Sequence, residues 1–174
     1  MRDIFTIADP HIGHKGILKW RPQFKDIQEH DETFVANWNS VIKKKKYIVW
    51  VLGDFLIHNK LYNMEEFLSR LNGTIRVIPG NHDYMPYYPK NMVYNGLWAK
   101  YGFWLSHAPI HPLSLRGKKN IHGHVHNNLV KRYGFDVRGD GLVSRVPDDR
   151  YICVCSEHVN FTPISIDEIR SRQC

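Results

Sequence analysis

The sequence predicts an α/β fold with two groups of strands, and three observations carry that expectation. Strand-sized apolar runs alternate with helix-period segments through the first half of the chain. A cluster of polar, chemistry-bearing residues follows each of the first three runs: Asp9 and His11, then Asp54, then Asn81, His82 and Asp83. The second half is made of short strand-like runs separated by turns.

Each element has its own reason. Ile4–Ala8 (IFTIA) reads as a buried first strand. A helix is expected over about residues 31–42, where Phe34, Trp38, Val41 and Ile42 form an apolar stripe and Asp31 is a candidate cap. Lys43–Lys46 are expected to close that helix, since cations complement its dipole. Tyr47–Gly53 (YIVWVLG) is the second strand. Leu61, Met64, Leu68 and Leu71 mark a second helix, with Gly73 as its stop. Thr74–Pro79 (TIRVIP) is the third strand, and the β-α-β-α-β order predicts parallel strands with right-handed crossovers. FWLSHAP (103–109), KNIHGH (119–124), YGFDV (133–137), YICVC (151–155) and VNF (159–161) suggest a second, largely antiparallel group. Ser165–Glu168 (SIDE) is a capping box opening a short last helix. With no repeat or linker, residues 1–174 read as one domain, and Trp38, Trp50 and Trp104 as core.

Composition narrows the function classes. The chain of 174 residues is 43% hydrophobic, as in ordinary globular proteins, and its longest apolar run, Tyr47–Leu52, is too short for a membrane span. Asp3 and Asp9 around the first apolar run argue against a secretion signal. Three cysteines are an odd count, and Cys153 and Cys155 would share one face of a strand; a reduced, cytoplasmic setting fits. A net charge of +7 suits anionic partners such as phosphates or nucleic acid, and equally suits solubility alone. The chain has 11 histidines, and they are clustered: His11 with His14, and His122, His124 and His126 together.

In a parallel sheet the carboxyl ends of the strands share one edge, where ligand sites form. The three polar clusters should therefore converge, with Gly80 letting the backbone turn ahead of Asn81–Asp83. His107 follows a later strand, and His124 and His126 sit in GHVH behind Gly123. Asp9, His11, Asp54, Asn81, His107, His124 and His126 are too many ligands for one ion and suit two, with a carboxylate shared. Carboxylate and imidazole donors without cysteine point to Mn²⁺, Fe²⁺ or Zn²⁺ rather than a structural thiolate zinc site.

The set DPH (9–11), GD (53–54), GNHD (80–83), His107 and GHVH (123–126) resembles the calcineurin-like metallophosphoesterases. DPHIGH, NWN (37–39) and PISIDEI look more like their small stand-alone bacterial and phage members. The resemblance implies a four-layer α/β/β/α sandwich with two mixed sheets. It implies a first metal held by Asp9, His11, Asp54 and His126, and a second held by Asp54, Asn81, His107 and His124, with Asp54 bridging. It also implies a general acid, His82, oriented by Asp83. His14 would reach the substrate phosphate or support a ligand, and His122 would orient a ligand or simply be buried. Arg116, Lys118 and Lys119 would line the site mouth or be exposed loop charges; His30, His58, His111 and His158 receive no role.

Two divalent ions, Mn²⁺ first with Fe²⁺, Zn²⁺ or Ni²⁺ as alternatives, would outweigh the two carboxylates, attract phosphate and supply hydroxide for in-line attack. His82 would protonate the leaving alkoxide. The expected activity is hydrolysis of a phosphate ester, a diester ahead of a monoester, with a nucleotide or nucleic acid as substrate and no membrane partner. GDFLIHN lacks the arginine that extends Gly-Asp in the family's protein phosphatases. The rival classes are a catalytically silent interaction module of the same fold and a nucleic-acid-binding protein whose binding survives metal removal.

Overall fold

The structure, a computed structural model, describes residues 3–57, 63–135 and 143–172. Strand β1 (Ile4–Ile7) is followed by a 3₁₀ turn (Lys15–Lys19), helix α1 (Ile27–Val41), β2 (Ile48–Val51), α2 (Met64–Ser69) and β3 (Thr74–Val77). The second half supplies β4 (Trp98–Lys100), β5 (Phe103–Leu105), β6 (Lys119–His122), β7 (Lys131–Phe135), β8 (Val143–Pro147), β9 (Tyr151–Cys153), β10 (Ile164–Ser165) and α3 (Ile166–Ser171). One sheet has the order β10-β1-β2-β3, with β1, β2 and β3 parallel and β10 antiparallel. A second sheet runs β4-β5-β6-β9, and β7 pairs with β8 as a separate ribbon.

Both four-stranded sheets are mixed, as expected, but the second is not largely antiparallel. Its β5, β6 and β9 are parallel and only β4 is reversed. The connections explain this. The 13 residues between β5 and β6, and the ribbon between β6 and β9, are long enough to return the chain to the starting edge.

Strand alternation divides the core in two. Val49 and Val51 of β2 face α1 and α2, packing with Phe34, Trp38, Ile42, Phe55 and Phe67. Ile48 and Trp50 face the other way, onto Phe103, Leu105, Ile121 and Val154 of the second sheet and Ile166 and Ile169 of α3. All four residues of β2 are buried, as befits a central strand covered on both faces. The outer face of the second sheet is covered by the segment after β5. There Trp104 donates to Leu115 O (2.8 Å), Ile110 N donates to Asn120 Oδ1 (3.0 Å), and one 3₁₀ turn, Pro112–Ser114, takes a helix's place.

Several boundaries move from their sequence positions. Helix α1 starts four residues earlier than Asp31, because Asp26 is the cap: its Oδ1 accepts from Glu29 N (2.8 Å). The Asp-x-x-Glu spacing 26–29 carried that signal. Lys43–Lys46 lie beyond the helix end. Asn63 caps α2, while Leu61 and His58 lie outside the described residues, as do Asp136 and Val137. VNF is a turn rather than a strand, with Asn160 and Phe161 at φ 51° and 55°. The SIDE box forms as read: Ser165 Oγ accepts from Glu168 N (3.0 Å).

Trp38 is wholly buried, and its indole donates to Asn72 O (2.8 Å), tying α1 to the turn after α2. Trp38→Ala is expected to destabilise by about 3–5 kcal/mol, read as a lowered urea midpoint with unchanged slope.

Candidate metal centre

The carboxyl ends of β1, β2 and β3 share one edge, and the clusters that follow them meet there. The loops meet the second sheet at the same place: Ala8 N donates to Val154 O (2.8 Å) and Ser156 N to Ala8 O (2.9 Å). Close approach demands glycine here, at Gly80 and Gly123 as at Gly53. A Cβ at Gly80 would fall on the Asp54 carboxylate, and one at Gly123 on the Asp9 carboxylate and Ala8. Gly80 is therefore needed for proximity to Asp54; its φ is not positive. The left-handed conformations fall instead on Asp9 (54°), His11 (54°), Asp54 (49°), His124 (72°) and His126 (50°). Such strain in non-glycine residues persists only where surrounding contacts enforce it, and it concentrates at working sites.

Seven of the expected residues form one cluster. Asp9 is fully buried; its Oδ2 accepts from His124 N (2.8 Å) and Cys155 Sγ (3.2 Å), while Oδ1 has no partner. His11 Nε2 is buried without a hydrogen-bond partner too, 3.9 Å from Asp9 Oδ1 and 3.6 Å from Asp54 Oδ2. His107 Nε2 stands 3.6 Å from the same Asp54 oxygen, so Asp54 Oδ2 lies between the two imidazoles. His126 Nε2 is 3.9 Å from Asp9 Oδ1. Two groups of donor atoms draw within 4.8 Å of one another: Asp9, His11 and His126, and Asp9, Asp54 and His107. Asp9 thus belongs to both groups, alongside the central position of Asp54.

The protons do not suffice for these contacts. His107 Nδ1 faces Leu52 O (2.9 Å), an acceptor, so Nδ1 carries the hydrogen and Nε2 a lone pair. That lone pair faces Asn81 Oδ1 (3.0 Å) and His124 Nδ1 (3.1 Å), and His124 Nδ1 is also 3.0 Å from Asn81 Oδ1. Three ligand atoms with at most one shared proton suit a cation among them. The donor set, nitrogen and oxygen without thiolate, fits Mn²⁺, Fe²⁺ or Zn²⁺.

Burial without counter-charge tilts the ionisation. Burial pushes Asp9 up to about 6, partly offset by His107. Burial, then the Arg21 charge, drives His11 down to about 2, which keeps it neutral and able to bind a metal. Burial also lowers His14 and His124. His126 goes the other way, raised by its hydrogen bond with Glu157.

His82 is exposed at the rim. Its backbone N donates to Asp54 Oδ1 (2.8 Å), and its ring meets His11 edge-on at 5.4 Å. Asp83 does not orient that ring. Its carboxylate accepts from Asp54 N (2.7 Å), Phe55 N (2.9 Å), Gly80 N (2.8 Å) and Tyr88 OH (2.5 Å), so both oxygens are engaged by the GD and GNHD loops. His14 Nδ1 is 3.2 Å from His11 Nδ1, a contact that braces the His11 ring. His122 is buried against Tyr151, with its Nδ1 bonded to Gly123 O (2.8 Å), and stands outside the cluster. Lys118 lies over Trp104.

Sequence reasoning missed the support behind the cluster. Glu157 Oε1 is 3.2 Å from His126 Nδ1 and pairs with a fully buried Arg21 (2.8 Å). His158 Nε2 donates to His126 O (2.8 Å). No motif marks these residues, since each matters only through contacts made over long sequence separations.

The model of the calcineurin-like phosphoesterase family matches residues 3–166. An uncharacterized protein of Methanocaldococcus jannaschii is 36% identical over 173 residues, 97% of this chain and 90% of that protein. The gene 66 protein of Mycobacterium phage L5 is 35% identical over 85 residues, 48% of this chain and 41% of that protein. A solved protein of unknown function from Aquifex aeolicus superposes with a TM-score of 0.67 at 24% identity, covering 99% of this chain and 100% of that one. Nuclease MPE of Pseudomonas putida gives a TM-score of 0.46 at 23% identity, over 83% of this chain and 66% of that one.

Free Mn²⁺ at about a hundred times its Kd is expected to stabilise the protein by about 2.7 kcal/mol, read as a rise in thermal midpoint that a chelator reverses. Gly123→Ala, which drives a methyl onto Asp9, is expected to lose that rise.

Proposed function

Because the chain belongs to the calcineurin-like phosphoesterase family, whose members depend on metals, we propose that it hydrolyses phosphodiesters with a pair of divalent cations, Mn²⁺ foremost. One observation carries this reading: Asp9 Oδ1 and His11 Nε2 are both buried, both lack a hydrogen-bond partner and stand only 3.9 Å apart, as two donor atoms around a shared cation would. Asp9, His11, Asp54 and His126 would hold one ion. Asp54, Asn81, His107 and His124 would hold the other, the 3.6 Å distances from Asp54 Oδ2 to both imidazoles supporting the bridge. Bound there, the ions supply Lewis acidity toward phosphate oxygens and lower the pKa of water.

The chain's own residues do the rest. His82 stands at the exposed rim, where a scissile ester can reach it, and delivers a proton to the departing oxygen. Its main chain is held on Asp54 (2.8 Å), so the acid and the bridging carboxylate keep a fixed relation. Asp83 contributes by locking that turn from behind. His14, beside both His11 and His82, supports the ligand and faces the incoming phosphate.

The β7–β8 ribbon favours a nucleic-acid diester over a small one. Lys131, Tyr133 and Arg145 share one of its faces, with Tyr133 paired to Arg145 across the strands. Tyr133 is 70% exposed, and Arg145 lies over its ring (5.5 Å). An exposed aromatic beside cations suits stacked bases and their phosphates, and the ribbon begins five residues after His126.

His82→Asn is expected to keep metal content and to lose about 10²–10⁴-fold in rate on diesters with poor leaving groups. It should lose far less on bis-nitrophenyl phosphate, and equal losses on both would remove the general acid. No hydrolysis of either by the Mn²⁺-loaded wild type would favour a silent interaction module. Tyr133→Ala with Arg145→Ala should raise KM for a single-stranded oligonucleotide and leave bis-nitrophenyl phosphate hydrolysis unchanged.

A further inference from the structure

The fully buried Arg21 spends all five of its N–H donors, and every acceptor leads to the cluster or to its scaffold. Nη2 donates to Asp9 O (2.7 Å) and Nη1 to Pro10 O (2.9 Å), fixing the main chain of the first metal-binding loop. Nε (2.9 Å) and Nη2 (2.8 Å) both reach Glu157 Oε1. Nη1 also meets His30 Nε2 (2.7 Å). Since the guanidinium can only donate, His30 accepts there and its Nδ1–H points to Asp31 Oδ1 (2.7 Å). The other Asp31 oxygen accepts from Gly13 N (3.0 Å), returning to the loop where the chain of bonds began.

At its far end the chain of bonds reaches His126. Glu157 is a carboxylate and can only accept, so the 3.2 Å contact places the hydrogen on His126 Nδ1. Nε2 is then left with its lone pair toward Asp9 Oδ1 (3.9 Å). A ring with its hydrogen on the other nitrogen would turn an N–H at the cation instead.

We propose that Arg21 and Glu157 are positioning residues that clamp the 9–11 loop to the 123–126 loop and hold His126 in the tautomer that can bind a metal. The inference rests on His126 being a ligand, as argued above. Stability alone does not account for the pair, because a buried ion pair can be replaced by apolar side chains of like volume at little loss. The bonds here are instead aimed at two loops that the sequence separates by more than a hundred residues. The positive charge of Arg21 would also repel cations nearby, and Glu157 cancels it.

The test replaces the pair together, Arg21→Met with Glu157→Leu, and adds Glu157→Gln, which keeps an acceptor for His126. The first readout is the ¹⁵N NMR signature of His126 in metal-free protein at alkaline pH. Wild type and Glu157→Gln should show the Nδ1–H form, and the double variant a mixture. The second is Mn²⁺ binding by calorimetry. The double variant should lose about 10–100-fold in affinity at one ion, and adding His126→Ala should bring little further loss. A folded double variant with the wild-type tautomer and affinity overturns the proposal, as does loss of the tautomer in Glu157→Gln alone with affinity intact. If His126→Ala by itself leaves Mn²⁺ binding unchanged, the ligand assignment fails instead, and the tautomer result still decides whether Glu157 orients the ring. A double variant that fails to fold leaves Glu157→Gln to decide by the same two readouts.

Discussion

The burial of Asp9 governs the architecture around it. A carboxylate with no exposure and one unpartnered oxygen is costly to ionise, which is why its pKa rises to about 6. The fold accepts that cost at the edge where two sheets meet and the loops after β1, β2, β3, β5 and β6 converge. It then surrounds the carboxylate with imidazoles, among which burial lowers His11 and His124 while the hydrogen bond with Glu157 raises His126. The glycines at 80 and 123 follow from the same crowding, because any side chain there would displace a carboxylate.

Precision at this edge comes from hydrogen bonds that the reactive groups do not themselves make. Asp83 takes three backbone donors and the Tyr88 hydroxyl, fastening the GD turn to the GNHD turn. Arg21 does the same for the first and last loops. Between them, these two side chains brace the left-handed backbones of Asp54 and Asp9. Strain of that kind persists when the surroundings over-determine the conformation.

The β-α-β-α-β half was legible because its periodicities are local: Val49 and Val51 alternate with Ile48 and Trp50, and Phe34, Trp38 and Ile42 repeat at helical spacing. The second half was less so. Its strands are two to five residues long, alternation does not encode direction, and β5, β6 and β9 are parallel because of where the connections travel. Asp31, read as a cap, is a buried partner of His30 and Gly13; Asp26 supplies the cap, five residues earlier.

The sequence by itself determined that Asp9, His11, Asp54 and Asn81 would meet, because strand ends in a parallel sheet share an edge and each follows such a strand; His107, His124 and His126 were joined to them by their motifs. Only the tertiary structure decided what stands behind them: that Asp83 braces backbones rather than His82, that His14 leans on His11, and that Arg21 and Glu157 reach His126. Those contacts join residues up to 136 positions apart, and their side chains carry no periodicity. Their partners are chosen by the packing of loops in three dimensions, which no run of neighbouring residues encodes.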